Sequence, residues 1–389
     1  MATTSPAPTP HVRSLDALRG ALSVFVVAAH GWQVFSLPQS GETWANLVFG
    51  FPARAAVLCF FCLSGYVIAM SIHGNMRRNG GFAPADYALS RFMRIAPPFL
   101  GVVALTWLFA LILNAAGASQ MDLKTAARPA FFADPGGQVL ALLTLTIFGD
   151  LTGKLLNGPV WSLVFEIQLY AIAALVMLGW AWKGPRRAAV VILLLAFVAV
   201  FGISGLKLRT LTYVAFAFGA AAYVYRGIGR QTLVWGLATT IPVAALLGYW
   251  ASFHSMTQLD GAWSWICFQV AASAVFALLV MATARSSFDF QVSDYSYTLY
   301  ILHFPLFLFV FFLMHRYWPD GLARWANPLA VAAVPFAVFV SAGVGRLEKI
   351  RMWSRRRRRP VALSVGTHQI HEAGGRVVGA VQEAERGSP

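Results

Sequence analysis

Ten apolar stretches, each close to 20 residues long, follow one another along this chain. A run of about 20 mostly apolar residues is what an α-helix needs to cross a bilayer. These stretches are too long and too continuous for the strands of a membrane barrel, which alternate between apolar and polar residues. They lie at about 15–35, 52–73, 95–117, 160–182, 188–205, 209–225, 231–250, 263–283, 295–314 and 326–345. The sequence therefore predicts an all-α polytopic membrane protein with about ten transmembrane helices.

The amino-acid composition favours the same class of protein. Of the 389 residues, 58% are hydrophobic and only 12% are charged. A soluble domain has about 45–50% apolar and about 25% charged residues, so this chain has too little polar surface to fold in water. Intrinsic disorder of the whole chain is excluded as well, because disordered chains are poor in hydrophobic residues.

The basic residues indicate how the helices cross the membrane. The formal net charge is +15, and most Lys and Arg residues lie between the apolar stretches, which the positive-inside rule explains without a nucleic-acid partner. With the N-terminus in the cytoplasm, the cytoplasmic segments carry 19 of these residues and the outer loops carry 7. The first stretch holds Arg19 and His30, which a cleavable signal peptide would not contain. We therefore expect a retained first helix, cytoplasmic termini and multi-pass insertion in the inner or plasma membrane.

The chain divides into three predicted parts. These are a cytoplasmic N-terminal segment at 1–13, a membrane domain at 14–350 and a cytoplasmic tail at 351–389. The tail begins with the basic run Arg355–Arg359, which favours anionic lipid headgroups, and then becomes polar and Gly-rich, which predicts disorder. The apolar stretch at 137–149 is too short to span comfortably and predicts an interfacial or re-entrant segment.

Ionisable side chains inside predicted membrane helices are costly to bury, so they are candidates for function. Arg19 and His30 are eleven residues apart, which puts them on one helix face within about 20° and about 16 Å apart along the axis. This face carries a fixed cation near the cytoplasmic boundary and a titratable base deeper in the membrane. The alternative is that His30 only packs in the interior.

Glu166 and His303 are the other candidates at membrane depth. Glu166 is predicted at a depth similar to that of His30, so the two are expected to pair as a general base. A structural Glu bonded near Trp161 or Ser162 is the alternative. His303 lies two residues before a proline that should kink its helix and free a carbonyl, so His303 either satisfies that region or contacts substrate.

Four arginines lie between the second and third predicted helices, at Arg77, Arg78, Arg91 and Arg94. Arg91 and Arg94 are three residues apart at the expected start of a helix and therefore share a face. A pair of guanidinium groups suits bidentate binding of phosphate. The alternative, which composition alone favours, is a positive-inside anchor.

Six short motifs occur in order across residues 14–350. They are Ser14–Gly20 followed by His30, Phe60–Ile68, Arg91–Pro97, Trp161–Tyr170, Ser296–Pro305 and Leu347–Lys349. This ordered set resembles the motifs of the acyltransferase-3 family of integral membrane O-acyltransferases, which open with an Arg and a His separated by ten residues. The departures are mild: Ile350 replaces a closing proline, and Cys59 and Cys62 stand where other small or apolar residues are common.

The resemblance implies an enzyme that moves an acyl group, usually acetyl, from cytoplasmic acyl-CoA to a hydroxyl of a carbohydrate, often at the outer face. Acceptors across the family include polysaccharides, peptidoglycan, lipid-linked sugars and macrolides. Acyl-CoA would be a donor substrate, with no permanently bound cofactor. The sequence has no metal-ligand cluster, so we expect no metal. Some members carry an additional extracytoplasmic hydrolase-like domain, which we do not expect here.

In this interpretation, Arg19, Arg91 and Arg94 bind the phosphates of acyl-CoA at the cytoplasmic mouth. His30, oriented by Glu166, either deprotonates the acceptor hydroxyl or carries the acyl group transiently as an acyl-imidazole. Side chains that could contact substrate or stabilise an oxyanion are Ser64, Trp161, Ser162, Tyr170 and His303. Two rival functions stay open: a secondary transporter of a small solute or glycan, without covalent chemistry, and a non-catalytic module of cell-envelope synthesis.

Overall fold

The computed structural model describes residues 10–40, 49, 51–121, 134–148, 157–203, 206–251, 263–287 and 289–346. These residues are helical almost throughout, and no β-strand occurs among them. The tail predicted at 351–389 lies outside the described residues, as do residues 1–9 and the whole of the last motif, Leu347–Lys349.

Twelve α-helices make up the described chain. They are α1 (Pro10–Gly31), α2 (Leu37–Ser40), α3 (Phe51–Asn79), α4 (Pro84–Ala115), α5 (Pro135–Phe148), α6 (Trp161–Ala181), α7 (Gly184–Ile203), α8 (Leu206–Val224), α9 (Arg230–Ala251), α10 (Trp263–Ala284), α11 (Ser296–Tyr317) and α12 (Pro319–Val344). All but α2 and α5 have 19 residues or more, and these ten correspond in order to the ten predicted apolar stretches.

Eight of the described helices are long and apolar enough to cross a membrane. The other two long helices are α7 and α8, and α8 contributes a shorter apolar segment at Leu211–Val224. The 14-residue α5 corresponds to the short predicted segment and packs against α4 and α6. The prediction of an all-α polytopic membrane protein is confirmed.

Helix α4 begins well before residue 95, where the apolar run starts. Its first turn is stabilised by Asn75, whose Oδ1 accepts the backbone N–H of Ala83 at 2.9 Å and whose Nδ2 donates to Asp86 at 3.1 Å. Pro84 occupies the first turn, where a missing N–H costs nothing. Arg91 and Arg94 consequently lie inside α4 rather than at its start.

Helices α3 and α8 approach each other through two glycines. A Cβ added at Gly219 would lie less than 3.0 Å from the carbonyl oxygen of Cys62, and a Cβ added at Gly65 would lie equally close to the carbonyl oxygen of Phe216. Small residues at such positions let the backbones of membrane helices come into direct contact. The Leu-Ser-Gly part of the second motif therefore has a packing role at Gly65.

Helix α11 is the centre of the bundle. Thirteen of its 22 side chains are buried, and it packs against α1, α4 and α12. Pro305 lacks an N–H, so the carbonyl of Ile301, four residues earlier, has no donor within the helix. The Nδ2 of Asn157 donates to this oxygen at 2.8 Å. The chain entering α6 is thereby held against the second turn of α11.

Candidate active site

A cavity lies between five helices of the bundle. Its polar lining comes from α1, α3, α4, α6 and α11: Arg19, Ser23, Ser64, Arg94, Ser162, Glu166, Tyr170, Ser296, Tyr297 and Tyr300. The remaining lining residues are apolar side chains of α3, α6 and α11. A concave site of this kind, apolar with a few converging polar groups, is typical of small-molecule binding.

Charged groups are concentrated in one part of this cavity. Arg19 and Arg94 bring two guanidinium groups to it, and Glu166 brings one carboxylate. Arg19 is also paired with Asp16 at 2.7 Å, and its side chain is only 15% exposed. Glu166 accepts a short hydrogen bond from the hydroxyl of Tyr170, one helical turn further along α6. The cavity can therefore bind an anionic group beside a fixed carboxylate.

The position of this charged part follows from α1 and α11. Ser23 donates through its hydroxyl to the carbonyl oxygen of Ser296 at 3.1 Å, so Arg19, one turn before Ser23, lies beside the beginning of α11. At the other end of the cavity, the hydroxyl groups of Ser162 and Tyr300 are hydrogen-bonded at 2.8 Å. The cavity thus runs along the first turns of α11, from Arg19 to Tyr300.

Two histidines lie one turn beyond Tyr300. His30 Nδ1 and His303 Nε2 form a hydrogen bond at 2.8 Å, and their rings stack with centroids 5.0 Å apart and planes 17° apart. The ring centroids of Tyr300 and His303 are 6.1 Å apart. The other nitrogen of His303, Nδ1, is 3.0 Å from the carbonyl oxygen of Leu299. This pair continues the line of polar groups from the cavity toward the middle of the bundle.

The predicted pairing of Glu166 with His30 is wrong in this structure. Glu166 bonds Tyr170, and His30 bonds His303. Ser162 contacts Tyr300, and α6 runs from there toward the charged part of the cavity, because Glu166 lines that part and interacts with the charge of Arg19. Glu166 is four residues beyond Ser162 toward the Arg19 end, and His303 is three residues beyond Tyr300 in the opposite direction. These offsets separate the two side chains by about 10 Å along the helices.

Arg91 and Arg94 have different surroundings, although both were predicted to bind the donor. Arg94 lines the cavity. Arg91 is 6% exposed, donates to Ser71 at 2.9 Å, and packs 5.7 Å from the ring centre of Tyr170. It does not line the cavity, so its visible role is to support the wall that Tyr170 forms. Side chains three residues apart on a helix point in directions about 60° apart, and packing against the neighbouring helices determines which of the two reaches the cavity.

Among the predicted contact residues, Ser64, Ser162 and Tyr170 line the cavity. Trp161 does not, because it packs edge-to-face on Phe165 with ring centroids 5.5 Å apart. His303 does not satisfy the carbonyl freed by the proline, since Asn157 does.

Sequence reasoning missed four polar residues that line the cavity: Ser23, Ser296, Tyr297 and Tyr300. Ser23 lies seven residues before His30, which is the same helix face, so its spacing was an available signal. Tyr300 stands inside the Ser296–Pro305 motif, but nothing in the local sequence indicates that its hydroxyl closes the cavity against Ser162.

Similarity to known proteins extends over most of the chain. Residues 12–345 match the family model Acyl_transf_3, described as an acyltransferase domain. A relative from Rhizobium radiobacter, named Protein 2 in picA locus, is 27% identical over 195 residues, which are 48% of this chain and 91% of the relative. No solved structure matches the chain. The family match covers most of the 389 residues, including every side chain of the cavity and both histidines, so the chain belongs to the acyltransferase-3 family and is a multi-pass membrane acyltransferase.

Proposed function

We propose that this acyltransferase takes an acyl group, most readily acetyl, from acyl-CoA and transfers it to a hydroxyl of a carbohydrate or glycosylated acceptor, such as an exported polysaccharide. The supporting observation is a single line of groups along α1 and α11. It begins at the guanidinium groups of Arg19 and Arg94, passes the Ser162–Tyr300 contact and ends at the His30–His303 pair.

The charged part of the cavity suits the donor. Coenzyme A carries several phosphates, and guanidinium groups bind phosphate through paired, charge-assisted hydrogen bonds. Arg19 and Arg94 lie at the end of the cavity that the positive-inside rule assigns to the cytoplasm. The eleven residues from Arg19 to His30 span about 16 Å, a distance that an extended pantetheine arm can cover.

His30 supplies the base in this proposal. It accepts the proton of the acceptor hydroxyl while the hydroxyl oxygen attacks the thioester carbonyl carbon. The carbon–sulfur bond then breaks, and the CoA thiolate leaves and takes up a proton. In the covalent variant, His30 attacks the thioester first and passes the acyl group on from an acyl-imidazole. Glu166 acts at the donor end, where it orients Tyr170 beside the two arginines.

The first experiment compares the masses of surface glycans, glycolipids and secreted glycosylated metabolites from cells with and without this gene. We expect one fraction to gain the mass of an acetyl group at each modified site only when the gene is present. A different constant increment would identify a different acyl donor within the same mechanism. No covalent difference in any fraction, with the protein present in the membrane, would contradict the proposal and favour the transporter.

Arg94 provides a specific test of donor binding. Replacing Arg94 by Gln removes a charge-assisted contact worth about 1.5–3 kcal/mol, so the KM for acetyl-CoA should rise about 10- to 100-fold with little change in kcat. Transfer of label from radiolabelled acetyl-CoA to the endogenous acceptor in isolated membranes measures both constants. The matched control is Arg77→Gln, because Arg77 is exposed at the end of α3 and does not line the cavity. Equal KM values for the two variants would exclude Arg94 from donor binding.

A further inference from the structure

We propose that His303 is a positioning residue that determines which ring nitrogen of His30 carries the proton, and that it leaves His30 Nε2 as the free base. This inference rests on the proposed function, in which His30 is the general base. It is carried by two consecutive contacts, Leu299 with His303 and His303 with His30, and by the register that holds α1 against α11.

The first contact assigns one proton. The carbonyl oxygen of Leu299 can only accept a hydrogen bond, and it lies 3.0 Å from Nδ1 of His303. Nδ1 of His303 must therefore carry the hydrogen. A neutral imidazole has a single N–H, so Nε2 of a neutral His303 bears a lone pair and accepts hydrogen bonds.

The second contact determines which nitrogen of His30 carries the proton. His303 Nε2 lies 2.8 Å from Nδ1 of His30. Because Nε2 of His303 is the acceptor, Nδ1 of His30 must be the donor. The single proton of a neutral His30 is then used in this hydrogen bond, and Nε2 of His30 is left with its lone pair.

The surroundings favour the neutral form of both rings. His303 is 0% exposed, and its ring lies against Phe304 and Phe307 as well as against His30. In the part of the chain that the structure describes, neither histidine forms an ion pair with a carboxylate. A positive charge on either ring would therefore be uncompensated in a low-dielectric interior and would repel a charge on the other.

The register between α1 and α11 explains why the rings of His30 and His303 lie side by side. Ser23 contacts Ser296, and His30 contacts His303, and in both pairs the partners are 273 positions apart. Two parallel helices thus keep one register over seven residues, or about two turns. The Ser23–Ser296 hydrogen bond sets this register at the level of the cavity. A π-helical turn at Trp32–Ser36 follows the end of α1, just beyond the pair.

The tautomer itself can be measured without any substrate. The full-length protein, labelled with ¹⁵N-histidine, is placed in lipid bilayers for solid-state NMR, and the signals lost in His30→Gln identify His30. We expect a protonated Nδ1 and an unprotonated Nε2 in the wild type. In His303→Leu, which has a similar volume but no acceptor, the proton should move to Nε2, the tautomer that isolated imidazole side chains prefer. A protonated Nε2 in the wild type, or the same tautomer in both proteins, would overturn the inference.

Transfer rates provide the second arm of the test. His303→Leu should lower the maximal rate per enzyme molecule about 10- to 100-fold with the KM for acetyl-CoA within about twofold, because only the chemical step needs the tautomer. His303→Gln offers a carbonyl oxygen to His30 and an N–H to Leu299, so its rate should stay within about fivefold of the wild type. A merely structural histidine would not be rescued in this way, and equal losses in the Leu and Gln variants would contradict a positioning role.

The experimental outcomes distinguish a failure of this inference from a failure of the proposed function. If the His30→Ala variant were fully active, His30 would not be the general base, and both proposals would fail. An inactive His30→Ala together with a fully active His303→Leu would leave the proposed function standing and exclude only the role of His303. Protein abundance in the membrane and the thermal unfolding midpoint, measured for each variant, show that the compared enzymes are folded.

Discussion

Replacing His30 by alanine is expected to abolish measurable acyl transfer. General-base catalysis contributes about 10²–10⁴ in rate, and this variant also removes the nucleophile that a covalent route would need. The measurement is the initial rate of transfer from radiolabelled acetyl-CoA to the endogenous acceptor in isolated membranes. Donor binding should persist, because Arg19 and Arg94 lie in the cavity and His30 does not line it.

The control for this variant is His73→Ala. His73 is an exposed histidine near the end of α3, outside the cavity, so the same substitution should leave the rate within about twofold of the wild type, as is usual for surface positions. Both variants should be present in the membrane in normal amounts. A His30→Ala enzyme that transfers at the rate of His73→Ala would exclude every mechanism in which His30 takes part in the chemical step.

Replacing Gly219 by alanine is expected to destabilise the protein by about 3 kcal/mol or more, the upper range for overpacked sites. The new Cβ would overlap the backbone carbonyl of Cys62, and backbone atoms cannot move aside as the end of a flexible side chain can. Helices α3 and α8 would have to separate. Ser64 lines the cavity from α3, so transfer activity should fall together with stability. The thermal unfolding midpoint of the purified protein in detergent measures the first effect.

Gly343→Ala is the matched control for this prediction. Gly343 also lies within a helix, but a Cβ added there meets nothing within 4 Å. Alanine has the higher helix propensity by about 1 kcal/mol, so this variant should be as stable as the wild type or slightly more stable. If Gly219→Ala behaved like Gly343→Ala, the close approach of α3 and α8 would not contribute to stability.

The membrane class of this protein follows from local sequence alone. Whether about 20 consecutive side chains are apolar enough for lipid depends only on those residues, and a backbone in lipid must satisfy its hydrogen bonds within the helix. The ten apolar stretches therefore correspond to ten long helices. The helical period correctly placed Arg19 and His30 on one face of α1, and that face is turned toward α11 at both Ser23 and His30.

The start of α4 and the surroundings of its arginines were not predictable in this way. The apolar run begins near residue 95, but Asn75 and Pro84 start the helix earlier through contacts that hydropathy does not register. Arg91 and Arg94 are of the same type and are three residues apart. Arg91 contacts Ser71 of α3 and Tyr170 of α6, whereas Arg94 lines the cavity.

By itself, the sequence determined that this chain is an all-helical membrane protein, which family its motifs resemble, and six of the ten polar side chains that line the cavity. Only the tertiary structure decided which of these side chains meet. Glu166 was expected beside His30 because the two side chains were predicted at a similar depth in the membrane. Asn157 instead holds the entry to α6 against the second turn of α11, and His303 becomes the partner of His30. The register between helices that are far apart in sequence depends on packing between them, and no local pattern encodes the distance between two rings.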